Sequence, residues 1–307
     1  MKRAFTLLEL IIVIVILGII AMMSFNAIMN IYSNYFQTRT VNELEMQTEI
    51  ALEQISKRLE HRIKPSVIAR KPSGGFLPLN DSRVNLNSGY EILEFIPYAY
   101  EIFNDVPSGS NKAGRYSGYV DLANSSPATG LISPGSNFTT EVIETIKDLT
   151  CKDDASGCVD FENKDGGVVA IFSDVYYDVQ NSFGYKDNLN LDIAKVGVKS
   201  TDGNTLEISG FANKQISEQY HLAYTANAIV PEQSADPKDT ANGVFDLNLY
   251  YDYRPWMGQG YKNGEKATLA KNVTRFVFIE KNGVIVLKLC MRAKNSEITI
   301  CKSKAVY

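Results

Sequence analysis

Two histidines, four cysteines and one tryptophan are spread over 307 residues, and no proline occurs before Pro65. Each scarcity excludes something. His61 and His221 stand far apart, so the sequence offers no His-rich metal site and no H-E-x-x-H pair. No G-x-S-x-G elbow and no G-x-x-x-x-G-K-[ST] phosphate loop is present, so neither an acyl-transfer serine nor a nucleotide cradle is marked. Cationic excess is lacking too. The net charge is −4 and the pI near 5.4, which argues against a chain that coats nucleic acid as a whole. No enzymatic constellation and no cofactor site is legible, and both histidines read as structural.

The missing prolines leave room for one long helix. Apolar residues fill the chain up to Phe25, and beyond it Ile28, Ile31, Tyr35, Val41, Leu44, Ala51, Ile55 and Leu59 recur mostly every three or four positions. Polar residues such as Glu43, Glu49, Glu53 and Lys57 take much of the other side. A continuous helix over residues 5–63 is expected, about 88 Å long at 1.5 Å per residue. Its first part, 5–25, is long enough to cross a bilayer, and its second, 26–63, is amphipathic. Gly18 and Ser24 leave room for local bending, though a glycine inside a helix also reads simply as a cost of about 1 kcal/mol.

What precedes the apolar run is short and basic: Met1-Lys2-Arg3-Ala4, then Phe5-Thr6-Leu7-Leu8-Glu9-Leu10. A secretory signal would place its cleavage site after the apolar core. Here the candidate site, Ala4 before Phe5, lies ahead of it. A carboxylate such as Glu9 inside such a run costs roughly 2.5–3.5 kcal/mol on insertion scales and calls for a partner or a task. These residues closely resemble the class III signal of type IV prepilins and pseudopilins. The resemblance implies cleavage between Ala4 and Phe5 by the prepilin peptidase, which also methylates the new amine of Phe5. It gives Glu9 the task of neutralising the terminal amine of a neighbouring subunit during assembly. The family usually has Gly where this chain has Ala4, a residue that is also tolerated. Other pilin or pseudopilin subunits and inner-membrane lipid are the implied partners.

With Lys2 and Arg3 on the cytoplasmic side, the bulk is expected in the periplasm, where disulfides persist. Four cysteines permit three pairings. Local spacing favours Cys151 with Cys158 and Cys290 with Cys301. The second pair is symmetric about Asn295-Ser296, so a hairpin with a four-residue loop, 294–297, sets the two opposite each other at a non-hydrogen-bonded site. Cα atoms there lie about 4.5 Å apart, within disulfide range.

Residues 64–83 read as a connector broken by Pro65, Pro72 and Pro78, followed by a strand at 91–97. Residues 105–138 read as a long loop with one short strand near 116–122. Thr139 and Glu141 open a short helix that turns Val142, Ile146 and Leu149 to one face. Strands are expected at 168–172, 175–179, 194–199, 205–209, 221–230, 244–253, 273–280, 284–292 and 297–301. Asn282-Gly283 marks a two-residue hairpin that sets Phe276 and Phe278 opposite Leu289 and Leu287; Asp202-Gly203 hints at another. The expected architecture is α+β, the long helix laid on an antiparallel sheet, in agreement with the pilin fold implied by the N-terminus. Residues 64–190 read as a variable, loop-rich region and 191–307 as the main sheet region.

Three stretches are chemically dense. Asp153, Asp154, Asp160, Glu162 and Asp165 surround the first cysteine pair and offer hard oxygen ligands for Ca²⁺. Their spacing is not an EF-hand, and a solvated acidic turn is the favoured reading. Residues 250–257, Tyr-Tyr-Asp-Tyr-Arg-Pro-Trp-Met, combine aromatics with charge as sugar- or protein-binding patches do, though strand edges and loop plugs use the same residues and are favoured. Residues 262–307 carry ten Lys/Arg against three Glu, read as solvated strand faces in preference to a basic docking surface.

The functional expectation is a structural filament subunit rather than an enzyme. Its size resembles that of the larger minor subunits, the J-type pseudopilins of type II secretion and the W-type minor pilins near the filament tip. The K-type tip subunit usually lacks the Glu that is present here as Glu9. The alternative is a filament-associated binding module, an adhesin or DNA-uptake subunit, using loop 105–138 or the basic C-terminal region.

Overall fold

The computed structural model describes residues 7–84, 89–103, 115–138, 140–152, 157–186, 191–199, 203–211, 214–294 and 296–307. Helix α1 runs from Leu7–Glu60 without interruption, 54 residues and about 80 Å. Only its distal part has a buried stripe. Leu44, Thr48, Ala51, Leu52, Ile55, Ser56 and Leu59 follow one another at three- and four-residue steps, while no described residue before Leu44 is buried.

The stripe lies on an antiparallel sheet of eight strands. In chain order these are β1 (Ile68–Arg70), β2 (Phe76–Pro78), β3 (Ile92–Phe95), then, after five strands of another sheet, β9 (Ala226–Gln233), β10 (Phe245–Tyr253), β11 (Glu265–Lys281), β12 (Val284–Arg292) and β13 (Thr299–Val306). Their spatial order is β13-β12-β11-β10-β9-β3-β1-β2. Phe276 pairs with Leu289 and Phe278 with Leu287, and all four join the helix stripe in one core. Asn282 and Gly283 take φ of 55° and 78°, the left-handed pair that a two-residue hairpin requires.

Period-2 alternation builds a second core on the sheet's other face. Leu93, Phe95 and Ile229 point to the helix, whereas Ile92, Ile96, Ala228 and Val230 point away. Against that away-facing side packs a five-stranded antiparallel sheet: β4 (Leu131–Ile132), β5 (Val169–Phe172), β6 (Ala194–Val198), β7 (Thr205–Ser209) and β8 (Tyr220–Ala223), in the order β4-β7-β6-β5-β8. Val169 and Ile171 of β5 face the first sheet, and Val168, Ala170 and Phe172 face outward. There they meet α2 (Thr140–Thr150). The molecule is thus four layers: helix, sheet, sheet, helix.

The expected α+β arrangement of helix on antiparallel sheet is present, and several local expectations need correction. Residues 64–83 are more than a connector: they supply the edge strands β1 and β2, with Pro78 ending the outer one, where a missing N–H is tolerated. No strand forms over 116–122, where Gly118 at φ 78° interrupts extended backbone; only isolated bridges at Arg115 and Tyr119 remain. Residues 175–179 turn instead into the single-turn helix α3 (Val179–Ser182), because the Asp178 carboxylate accepts the Gln180 N–H as an N-cap. The expected strand 221–230 is two strands in different sheets, β8 and β9, broken at Tyr224-Thr225. In α2 the buried stripe is Val142, Ile146 and Thr150, while Leu149 is half exposed. The last strand reaches Val306 rather than stopping at Cys301. A further single-turn helix, α4 (Pro237–Ala241), sits in the β9–β10 connection. Thr139, Asp202 and Asn295 lie outside the described residues.

Candidate functional site

The feature that sets this molecule apart is the uncovered half of α1. From Leu7, 78 % exposed, to Phe36, 57 % exposed, the large apolar side chains of this stretch have nothing packed over them. The segment is long and apolar enough to cross a membrane, and none of its most apolar window is buried. Apolar surface on this scale does not persist in water, so it requires lipid or other protein around it. Glu9 lies in the first turn of this half, where the helix dipole favours an anion. Ala4 and Phe5, the expected cleavage and methylation positions, lie outside the described residues.

The buried half is fastened electrostatically as well as by packing. Glu45, Glu49 and Glu53 recur every four residues on α1 and face Lys302 and Lys304 of β13. Lys302 Nζ lies 3.4 Å from Glu45 and 2.9 Å from Glu49, and Lys304 pairs with Glu53. Hydrogen bonding to these carboxylates raises both lysine pKa values. Lys266 pairs with Glu232 and Arg292 with Glu297. Part of the basic surplus of residues 262–307 is therefore matched by acids outside that segment, Glu45, Glu49, Glu53 and Glu232, a match that sequence reading missed because these acids are far away in the chain.

At the C-terminal end of α1, Arg62 is buried and donates to three carbonyls: Leu59 at 2.8 Å, Tyr307 at 3.1 Å and Gly283 at 3.1 Å. Burial lowers its pKa, opposed by the Glu280 carboxylate. One side chain thus ties helix end, hairpin turn and last strand together.

Disulfides join Cys151 to Cys158 and Cys290 to Cys301, with Cα separations of 4.2 and 4.0 Å. Cys290 and Cys301 are direct cross-strand partners. In the acidic stretch, Asp160 accepts the Glu162 N–H, and Asp165 accepts the Ser209 hydroxyl and lies 4.0 Å from Lys195. Asp153 and Asp154 lie outside the described residues, and among the described ones no group of three metal-ligating side chains forms. His61 and His221 both pack on Tyr98, with ring centroids 5.5 and 5.1 Å away. Burial lowers the His221 pKa.

Residues 250–257 plug the junction between the sheets. Tyr253 is buried and its hydroxyl donates to Glu94 at 2.9 Å; Trp256 Nε1 donates to the Gly167 carbonyl at 2.9 Å. Arg254 pairs with Asp252 at 2.7 Å and donates to the Gly157 carbonyl, next to Cys158. Burial raises the Asp252 pKa to about 6 in spite of Arg254.

With this geometry in view, residues 1–25 match the prokaryotic N-terminal methylation motif. The chain carries the N-terminal signature of the type IV pilin and pseudopilin family. In that family the signature accompanies processing by a prepilin peptidase and assembly with other pilin subunits. No curated protein and no solved structure matches the chain. The match falls on the start of the uncovered apolar helix, and the two-sheet body follows it in the chain.

Proposed function

We propose that this protein is a minor subunit of a type IV pilus or a type II secretion pseudopilus, placed near the filament tip. The observation that carries the reading is the helix Leu7–Glu60, uncovered over its apolar half, whose beginning lies inside the methylation motif matched over residues 1–25. Before assembly, residues 5–25 span the inner membrane with Lys2 and Arg3 on the cytoplasmic side and the body in the periplasm. The peptidase removes residues 1–4 and methylates the amine of Phe5. In the filament the same apolar surface packs against other subunits, and Glu9 meets a neighbour's terminal amine. Residues 26–63 hold the body to that core. Mass spectrometry of the mature N-terminus tests the reading: N-methyl-Phe5 is expected. An intact Met1, or cleavage beyond Phe25, overturns it.

Competence-type DNA uptake through residues 262–307 is disfavoured, since Lys266, Arg292, Lys302 and Lys304 are engaged with carboxylates. Filter binding of the full chain to DNA across salt concentrations separates the two, because phosphate contacts give a steep salt dependence.

A further inference from the structure

A cleft of about 530 Å³ opens where the edge of the first sheet meets residues 255–262, at the end of the plug. Arg70 of β1 lies at its floor with a side chain 16 % exposed. Its Nε donates to Glu94 at 2.6 Å, and its Nη2 makes only a long contact, 3.4 Å, with the Tyr185 carbonyl. A guanidinium has five N–H donors in a fixed fork, so most of its outer edge is left to the cleft. Aromatic rings hold it in place: its carbon lies 5.0 Å from the Phe76 ring centre and 5.9 Å from that of Tyr185. The ion pair beneath is buried and braced. Glu94 is 1 % exposed and accepts also from Tyr253, and burial pushes its carboxyl upward in pKa against the pull of Arg70.

The walls continue the theme. Lys186 and Lys262 add two cations, and among the described lining residues Glu94 is the sole carboxylate, already spent on Arg70 and Tyr253. Tyr261 gives a partly exposed aromatic wall, steadied by an edge contact with Tyr250 at 5.4 Å. Gln180 uses its amide N–H on the Phe76 carbonyl, and Gln259 uses its oxygen on the Arg254 N–H. Each therefore keeps its other amide function for a ligand. Gly184 lets the two loops close on each other: a Cβ there would stand 2.5 Å from the Pro255 carbonyl oxygen, and its φ is +81°. The cleft is thus built, with a partly buried and oriented guanidinium, aromatic faces and amide donors and acceptors.

We propose that this cleft binds a carboxylated sugar, a uronic acid residue of an acidic polysaccharide, with the carboxylate on Arg70 and the ring against Tyr261. The fork of Arg70 suits a planar carboxylate, and Lys186 and Lys262 raise the local attraction for an anion. Aromatic faces cover a pyranose ring, and the two glutamine amides match its hydroxyls. The volume falls within the range of sites for ligands of one or two rings. An acidic peptide is the less favoured occupant, because the polar groups converge on one compact cleft rather than running along a strand.

The test uses the full chain in dodecylphosphocholine micelles, a detergent without sugar. Titrations with D-glucuronic acid, D-glucose, acetate and pentaglutamate are followed by calorimetry and by the fluorescence of Trp256, the single tryptophan, between the lining residues Pro255 and Gly258. Glucuronic acid is expected to bind at one site at least about tenfold tighter than glucose or acetate, the scale of one charge-assisted hydrogen-bond pair. The double variant K186Q/K262Q, at exposed positions, is expected to weaken it about fivefold or more with an unchanged melting temperature. Y261A, whose ring packs on the edge of the core, is expected to weaken it about fivefold or more with a lowered one. Absence of saturable glucuronic acid binding overturns the proposal. So does equal binding of glucose or acetate, tighter binding of pentaglutamate, or full affinity in both variants.

Discussion

Arg62 reaches across 245 positions of sequence to the carbonyl oxygen of Tyr307, 3.1 Å away. The contact closes a loop of dependence: β13 holds α1 through Lys302 and Lys304, and the residue just past α1 holds the end of β13. The long helix meets the body at this end, and the joint is one guanidinium serving three carbonyls.

Removing that guanidinium leaves the carbonyls of Leu59, Gly283 and Tyr307 without this donor; the contact to Leu59 is buried and the other two are partly buried. Arg62→Ala should therefore destabilise the body by about 3 kcal/mol, since a hydrogen bond to a charged donor is worth roughly 1.5–3 kcal/mol and water takes over much of the two partly buried ones. Urea unfolding of the full chain in micelles measures it. Arg62→Lys keeps the charge but not the fork and should fall between. A loss below about 1 kcal/mol for Arg62→Ala would show that water replaces the joint.

Asp252 makes a pH prediction. Its pKa is raised by burial from 3.8 to about 6 in the folded chain, with Arg254 and Lys152 pulling it down and Glu265 pushing it up. The folded state thus holds this proton more tightly than the unfolded one. Its contribution to stability is fully present below about pH 4 and is lost as the pH rises through 6. Comparison with Asp252→Asn isolates the effect from the other carboxylates. Wild type should lose stability relative to the variant between pH 4 and 6, and parallel curves would refute it.

Legibility in the sequence follows the range of the interactions. The hairpin at Asn282-Gly283 and the cross-strand pair Cys290 and Cys301 are written locally, in turn chemistry and symmetric spacing, and both appear in the structure. The long helix is legible because proline is missing and the apolar positions repeat. The second sheet was not, although most of its strands were. Tyr224-Thr225 looks like the middle of one β-rich run, and the crossing from one sheet to the other there is fixed by distant partners. The Thr225 hydroxyl, for instance, accepts the Asp252 N–H. The cleft was invisible for the same reason. Arg70, Gln180, Lys186 and Tyr261 come from separate stretches with no common motif. Residues 250–257 drew attention by composition, but their role is a plug, with Tyr253 and Trp256 buried rather than displayed.

The two disulfides should differ in reach. Cys290–Cys301 pins β13, which carries Lys302 and Lys304 against α1. Replacing both cysteines by serine should cost about 2–3 kcal/mol on the chain-entropy model. It should also speed amide exchange in Thr299–Val306 and in residues 44–59 of the helix together. The Cys151–Cys158 double variant should act within the loop at the end of α2, beside Arg254. Exchange mapping that shows β13 and α1 unaffected by loss of Cys290–Cys301 would break the link drawn between strand and helix.

Glu9 separates anchoring from assembly, because one carboxylate has opposite effects on the two. In lipid, a charge in an apolar helix is a cost of roughly 2.5–3.5 kcal/mol, so Glu9→Val should insert at least as well as wild type. In the filament, the same change takes away the counter-charge proposed for the terminal amine of another subunit. A charge-assisted contact of that kind is worth about 1.5–3 kcal/mol, or roughly tenfold and more in occupancy. Membrane fractionation reads the first effect, and immunoblotting of sheared filaments the second. Glu9→Asp, which keeps the charge on a shorter stem, should retain part of the incorporation. The expected pattern is full membrane content with incorporation down about tenfold for Glu9→Val. Equal incorporation of wild type and Glu9→Val would remove the carboxylate from assembly, and the uncovered apolar helix surface alone would have to account for subunit packing.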